Sequence, residues 1–153
     1  MSRLADKVAV ITGAGGGIGL AYARRFVAEG AKVMVADIGA EQGEAAVTEL
    51  AQQGEVAFAR TDIADEASVA DCVAATIDRF GTVDILVNNA AIYADYDPGN
   101  NSLEYLRTMF DVNLHGQWLM ARAVATHLVE QRWGRIINVA SIAGYMHQLG
   151  MVS

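Results

Sequence analysis

Val8-Ala9-Val10-Ile11-Thr12-Gly13-Ala14-Gly15-Gly16-Gly17-Ile18-Gly19 is the stretch that decides the fold. An apolar run, Val8 to Thr12, enters a glycine-rich turn, and an amphipathic run, Ile18 to Glu29, leaves it. Strand, glycine turn and helix in that order make a site for a pyrophosphate. The helix start offers unpaired backbone N–H groups and the positive end of its dipole. The absent side chains let an anion reach the backbone, and Gly19 lets the helix pack closely on the strand. Taken alone, such a turn could be an ordinary flexible loop. The Gly-Lys-Ser/Thr ending of a P-loop is missing, which disfavours ATP or GTP hydrolysis.

The same alternation runs outward along the chain. Short Val- and Ile-rich segments at Lys32 to Ala36, Val56 to Arg60, Asp84 to Asn88 and Arg135 to Val139 read as further strands. Their near-continuous apolar character suits a parallel sheet buried on both faces. Helices are expected at Gln42 to Gln53, Ala67 to Phe80 and, as one long element, Leu103 to about Glu130. Gly30, Gly54, Gly81 and Gly134 stand where helices should stop. The polar segment Asp95 to Asn101, with the only proline, Pro98, reads as a loop after a strand. Alternating strands and helices predict an α/β fold, a Rossmann-type doubly wound parallel sheet with helices on both faces, in a single domain over 1–153. Ligands of such sheets bind at the C-terminal strand edge.

Asp37 ends the second strand, about 20 residues beyond the turn, where a carboxylate hydrogen-bonds the ribose hydroxyls of NAD. It would repel the 2′-phosphate of NADP. No Arg or Lys stands in the turn or just after Asp37, so the charge pattern favours NAD. The plainer alternative is a solvated Asp capping the next helix.

Bulk composition narrows the class. The 153 residues are 53% hydrophobic and 19% charged, a globular balance. Acidic residues number 18 against 11 basic, a net charge of -7, and the only lysines are Lys7 and Lys32. That argues against nucleic acid or an anionic membrane as partner. The single cysteine, Cys72, fits a reducing compartment, and Met-Ser-Arg-Leu-Ala-Asp-Lys at the start lacks an apolar signal core. No run approaches the roughly 18 apolar residues of a membrane span. A cytoplasmic protein is expected. His115, His127 and His147 show no metal-ligand spacing, so no metal site is expected.

Several segments, taken in order, resemble the short-chain dehydrogenase/reductase family. Thr12 to Gly19 is similar to its TGxxxGIG signature; Gly13, Gly15, Gly16, Gly17, Ile18 and Gly19 would hold the cofactor. Asp62-Ile63 resemble the pair that contacts adenine. Asn88-Asn89-Ala90 resemble the start of the NNAG motif, with Ala91 in place of its Gly; Asn89 and Ala90 would lie at the cofactor. Asn113 resembles the active-site Asn and Ser141 the catalytic Ser. The bland readings of these last two are a partly exposed helix Asn and a turn-capping Ser.

The resemblance implies an NAD-dependent alcohol dehydrogenase or ketone reductase that moves hydride between a secondary alcohol or ketone and nicotinamide, working as a homo-oligomer. Trp118 and Met120 on the long helix would be core or interface. The family's Tyr-x-x-x-Lys would begin just past Ser153. Tyr145 comes too soon, Leu149 stands where its Lys would be, and no lysine follows Lys32. A phenol without a nearby cation titrates near pH 10, about three units too high for a base at neutral pH. The chain is therefore expected to lack the family's C-terminal strands and, alone, to be inactive. Ala143 to Leu149 resembles the substrate-side loop, and its aromatic and apolar residues suggest a hydrophobic substrate. The alternative is a non-enzymatic NAD-binding or interaction module complete at residue 153.

Overall fold

A computed structural model describes residues 2–92 and 102–141. The elements run β1 (Val8–Thr12), α1 (Gly17–Ala28), β2 (Lys32–Asp37), α2 (Ala40–Leu50), β3 (Val56–Arg60), α3 (Glu66–Phe80), β4 (Ile85–Asn88), α4 (Leu103–Phe110), a π-helical segment (Asp111–Gly116), α5 (Gln117–Glu130) and β5 (Arg135–Asn138). All strand pairs are parallel, in the order β3-β2-β1-β4-β5. The direction of winding reverses between β1 and β4, the switch point at which doubly wound sheets bind ligands.

Alternation along the strands builds two cores. Ala9, Ile11, Val33, Val35, Ile85 and Val87 face α1 and α2, where Ala23, Val27, Ala46 and Leu50 meet them. Val10, Met34, Ala36 and Leu86 face α3 and α5 and pack on Val69, Cys72, Val73, Met120 and Val124. β1 and β4 are buried throughout, as continuously apolar strands require. β5 is instead partly uncovered, Ile136 and Ile137 being 40% and 45% exposed. It is the outermost strand among the described residues, bonded on one side to β4.

The helix ends follow the glycine expectation in part. Gly30 and Gly81 take left-handed φ values of 88° and 86° after α1 and α3. After α5 that conformation falls on Arg132 (φ 57°), not on Gly134. Gly134 instead admits a close approach: a Cβ there would come 2.6 Å from Leu128 Cδ2. Gly54, likewise without positive φ, lies where a Cβ would meet Val27. The long helix spans its expected range but contains the π-helical turn, which an apolar period cannot reveal. The expected loop Asp95 to Asn101 and the tail Ala143 to Leu149 lie outside the described residues.

Candidate functional site

A cleft of about 370 Å³ opens at the C-terminal edge of β1, β2 and β4. Gly13, Gly16, Asp37, Asp62, Ile63, Asn89 and Ala90 line it, seven of the residues the sequence singles out, together with Ala36, Ile38, Thr61, Ala91, Ile92 and Val112. Gly15, Gly17, Ile18 and Gly19 belong to the adjoining turn but do not line the cleft.

The turn is shaped by contacts that exclude side chains. Gly13 turns the chain at φ 65°, with the Cα of Ala90 2.9 Å from where its Cβ would be. Gly19 packs so tightly that a Cβ would overlap the Gly13 carbonyl oxygen. Gly16 has open space where its Cβ would be, on the cleft side. It is also the N-cap of α1, with no side-chain cap and no acidic residue in the first turn. Such a helix start suits an anion, because backbone N–H groups and the dipole act together. Ile18, in that first turn, is exposed.

Asp37 is fixed from both sides. Gly15 N–H donates to its Oδ2 at 2.8 Å and Gly39 N–H to its Oδ1 at 2.9 Å. The carboxylate thus links the glycine turn to the start of α2 while remaining on the cleft wall. This is not the helix cap of the plainer reading: Gly39 is the N-cap of α2, and no side chain caps it. Asp62 closes a tight turn by accepting Ala64 N–H at 2.9 Å, and its own N–H donates to Ser68 Oγ at 3.0 Å. Ile38 and Ile63 offer apolar flanks of the kind a flat aromatic base requires.

Asn89 and its neighbours bind the turn to β4. Asn89 Nδ2 donates to the carbonyl oxygens of Thr12 and Gly13 at 3.0 and 3.3 Å. Thr12 Oγ1 accepts the N–H groups of Asn89 and Ala90, both at 3.0 Å. The amide donors of Asn89 are therefore spent on the turn, and its side chain holds the cradle's shape. Asn88, buried beside it, donates to Asn138 Oδ1 at 2.9 Å and to the Gln117 carbonyl at 3.1 Å. It connects β4, β5 and the end of the π-helical segment.

Asn113 lies within that segment. Its Oδ1 accepts Ile92 N–H at 2.8 Å and its Nδ2 donates to the Ile92 carbonyl at 3.0 Å. Asn113 is half-buried, and this pair makes it a clamp on the strand-exit segment that lines the cleft. π-helical turns widen a helix and recur at functional sites. Ser141 follows β5 at the same sheet edge but does not line the cleft.

Two further residues carry no signal in the sequence, and Thr12, part of the signature, takes a role that the signature does not explain, as the hub of the turn. Gly116 allows the helix to touch the Asp62-Ile63 turn: a Cβ there would sit 2.7 Å from Ile63 Cγ1 and 3.0 Å from its carbonyl oxygen. Arg60 is the register partner of Asp37 across β2 and β3. Arg60 is remote from Asp37 in the chain, and the sheet brings it alongside from the next strand. Cys72 sits in the core, where burial pushes its thiol pKa up against hydrogen bonds to Thr61 and Thr76, a poor setting for a nucleophile.

A family model described as short chain dehydrogenase matches residues 7–153. Galactitol 2-dehydrogenase of Agrobacterium fabrum is 46% identical over 145 residues, covering 93% of this chain and 55% of the relative. Sorbitol dehydrogenase of Cereibacter sphaeroides is 42% identical over 144 residues, covering 93% of this chain and 55% of the relative. A crystal structure of NAD+-bound xylitol dehydrogenase superposes with a TM-score of 0.88 at 30% identity, covering 95% of this chain and 57% of that one. The chain spans a little over half the length of these relatives.

Proposed function

Because the chain belongs to the short-chain dehydrogenase family, we propose that the protein is an NAD-dependent oxidoreductase acting on a secondary alcohol or ketone. The observation that carries the reading is the Asp37 carboxylate, held by Gly15 and Gly39 on the wall of a cleft beside an α1 N-terminus that no side chain caps.

The residues present fit a dinucleotide. Backbone N–H groups of the turn and of α1 would hold the pyrophosphate. Asp37 would accept the adenosine ribose hydroxyls, and Ile38 and Ile63 would flank the base, with Asp62 at its edge. Bound nicotinamide supplies the hydride acceptor or donor. Ser141 would donate a hydrogen bond to the substrate oxygen, localising negative charge there as the carbinol proton leaves. Asn113 would act through Ile92, keeping the nicotinamide side of the cleft in shape. The proton itself would move through a Tyr–Lys pair that the family resemblance places beyond Ser141, with Lys lowering the phenol's pKa. The named relatives oxidise polyols, galactitol and sorbitol among them, which makes polyols the first substrates to try.

Titration with NADH and NADPH, read by nicotinamide fluorescence, tests the proposal. NADH should bind more tightly, and Asp37→Ser should weaken it about tenfold, the scale of hydrogen bonds to a charged group. In a longer form of the protein that carries the Tyr–Lys pair, NAD+ reduction with a panel of polyols and apolar secondary alcohols then reads turnover, which Ser141→Ala should depress. A protein that binds neither dinucleotide overturns the reading. NADH binding with no turnover in any longer form of the protein would return it to the binding-module alternative.

A further inference from the structure

We infer that Arg60 is a latent 2′-phosphate partner at the adenosine end of the cleft, so that the carboxylate of Asp37 alone holds the site to NAD. The inference rests on the dinucleotide reading above and adds a residue to it.

Three observations carry it. Asp37 and Arg60 are register partners on β2 and β3. Side chains alternate along strands, so both follow Val35 and Phe58 onto the α1–α2 face of the sheet. Second, Arg60 is exposed and its Nε donates to the carbonyl of Ile38, a cleft-lining residue, at 3.3 Å. This anchors the guanidinium at the cleft's lip. Third, among the described residues Arg60 makes no ion pair, with Asp37 or any other carboxylate, and its two terminal nitrogens have no partner. Other cations on this side of the sequence are engaged: Arg24 with Glu49 and Lys32 with Glu55, the latter at 2.9 Å.

The chemistry follows from the charges. A 2′-phosphate would extend from the ribose hydroxyl that Asp37 is placed to accept, and the carboxylate would repel it. With that charge removed, the planar fork of an arginine one strand away matches phosphate geometry. The same guanidinium beside an intact Asp37 offsets part of the repulsion without reversing it.

The test is a double-mutant cycle with NADH and NADPH as ligands, on wild type, Asp37→Ser, Arg60→Gln and the double variant. Asp37→Ser should tighten NADPH about tenfold or more, the scale of a charge-assisted hydrogen bond. The gain should vanish in the double variant, return in part with Arg60→Lys, and shrink at high salt. An equal gain with Arg60 replaced, or no gain while NADH still binds, overturns the role of Arg60 and leaves the dinucleotide site standing. A wild type that binds neither ligand overturns both. Should Asp37→Ser not fold, Arg60→Gln alone decides: it must weaken NADPH more than NADH, and an equal effect on the two sinks the idea.

Discussion

Gly13 and Gly19 meet across the mouth of the cradle with no room for a methyl group between them. A Cβ on Gly19 would overlap the Gly13 carbonyl oxygen and come 2.7 Å from Asn89 Nδ2. Both obstacles are themselves fixed, since Asn89 Nδ2 holds the Gly13 carbonyl at 3.3 Å and the Thr12 carbonyl at 3.0 Å. Gly19→Ala must therefore displace backbone. We expect it to cost about 1–3 kcal/mol, the range for overpacking, and to weaken NADH binding by at least the same factor as it distorts the turn. Chemical denaturation and NADH titration on the same variant check this; unchanged values in both would mean the turn is softer than its contacts imply. The glycines and Asp37 could be read directly from the sequence because their spacing is local. The roles of Thr12, Asn89 and Arg60 could not. Each depends on a partner from another strand: Thr12 with residues 77 and 78 positions away, Arg60 with Asp37 through strand register.

At the scale of elements, the segment Asp111–Gly116 matters most. Its apolar pattern predicts an unbroken helix, and the helix is continuous in range, but the i→i+5 turn inside it changes which residues face the cleft. Asn113 is thereby brought to Ile92, and Gly116 to Ile63. Periodicity arguments assume a constant rise and rotation, so an inserted residue is invisible to them. The family resemblance picked out Asn113 without explaining its position. Gly116 connects the helix to the turn proposed to meet adenine, and Gly116→Ala should push Ile63 outward. Overpacking of about 1–3 kcal/mol would lower the melting temperature by roughly 2–4 °C per kcal/mol for a chain of this size. NADH affinity should fall with it, because Ile63 lines the cleft. A variant with wild-type melting and wild-type affinity would show that the helix slides to make room.

The whole molecule is legible wherever burial is two-sided. Strands β1 and β4 lie between two helical layers, so their continuous apolar runs identify them and fix a parallel sheet. The outer elements are less determined by pattern, since partial exposure relaxes the demand for apolar side chains, as in half-buried β3 and exposed β5. One outward feature is nonetheless ordered. Leu106, Phe110, Leu114 and Trp118 recur at four-residue steps along α4, the π-helical segment and α5, each roughly half exposed. Four large apolar side chains in one helical row are more than a scatter of surface hydrophobes, and rows of this kind mark interaction surfaces. The expectation of a homo-oligomer places a second copy on this row. A symmetric pair would bring each row against its counterpart, and Trp118, already stacked by Arg122 at 4.6 Å, would be buried near the centre. A single charge there should be decisive, because two copies of it would face one another across the axis. Sedimentation velocity should find the wild type as a dimer or larger and Leu114→Glu shifted to monomer, with circular dichroism unchanged because Leu114 lies outside the core. A wild type that sediments as a monomer at every concentration tried would rule out the row as a self-interface.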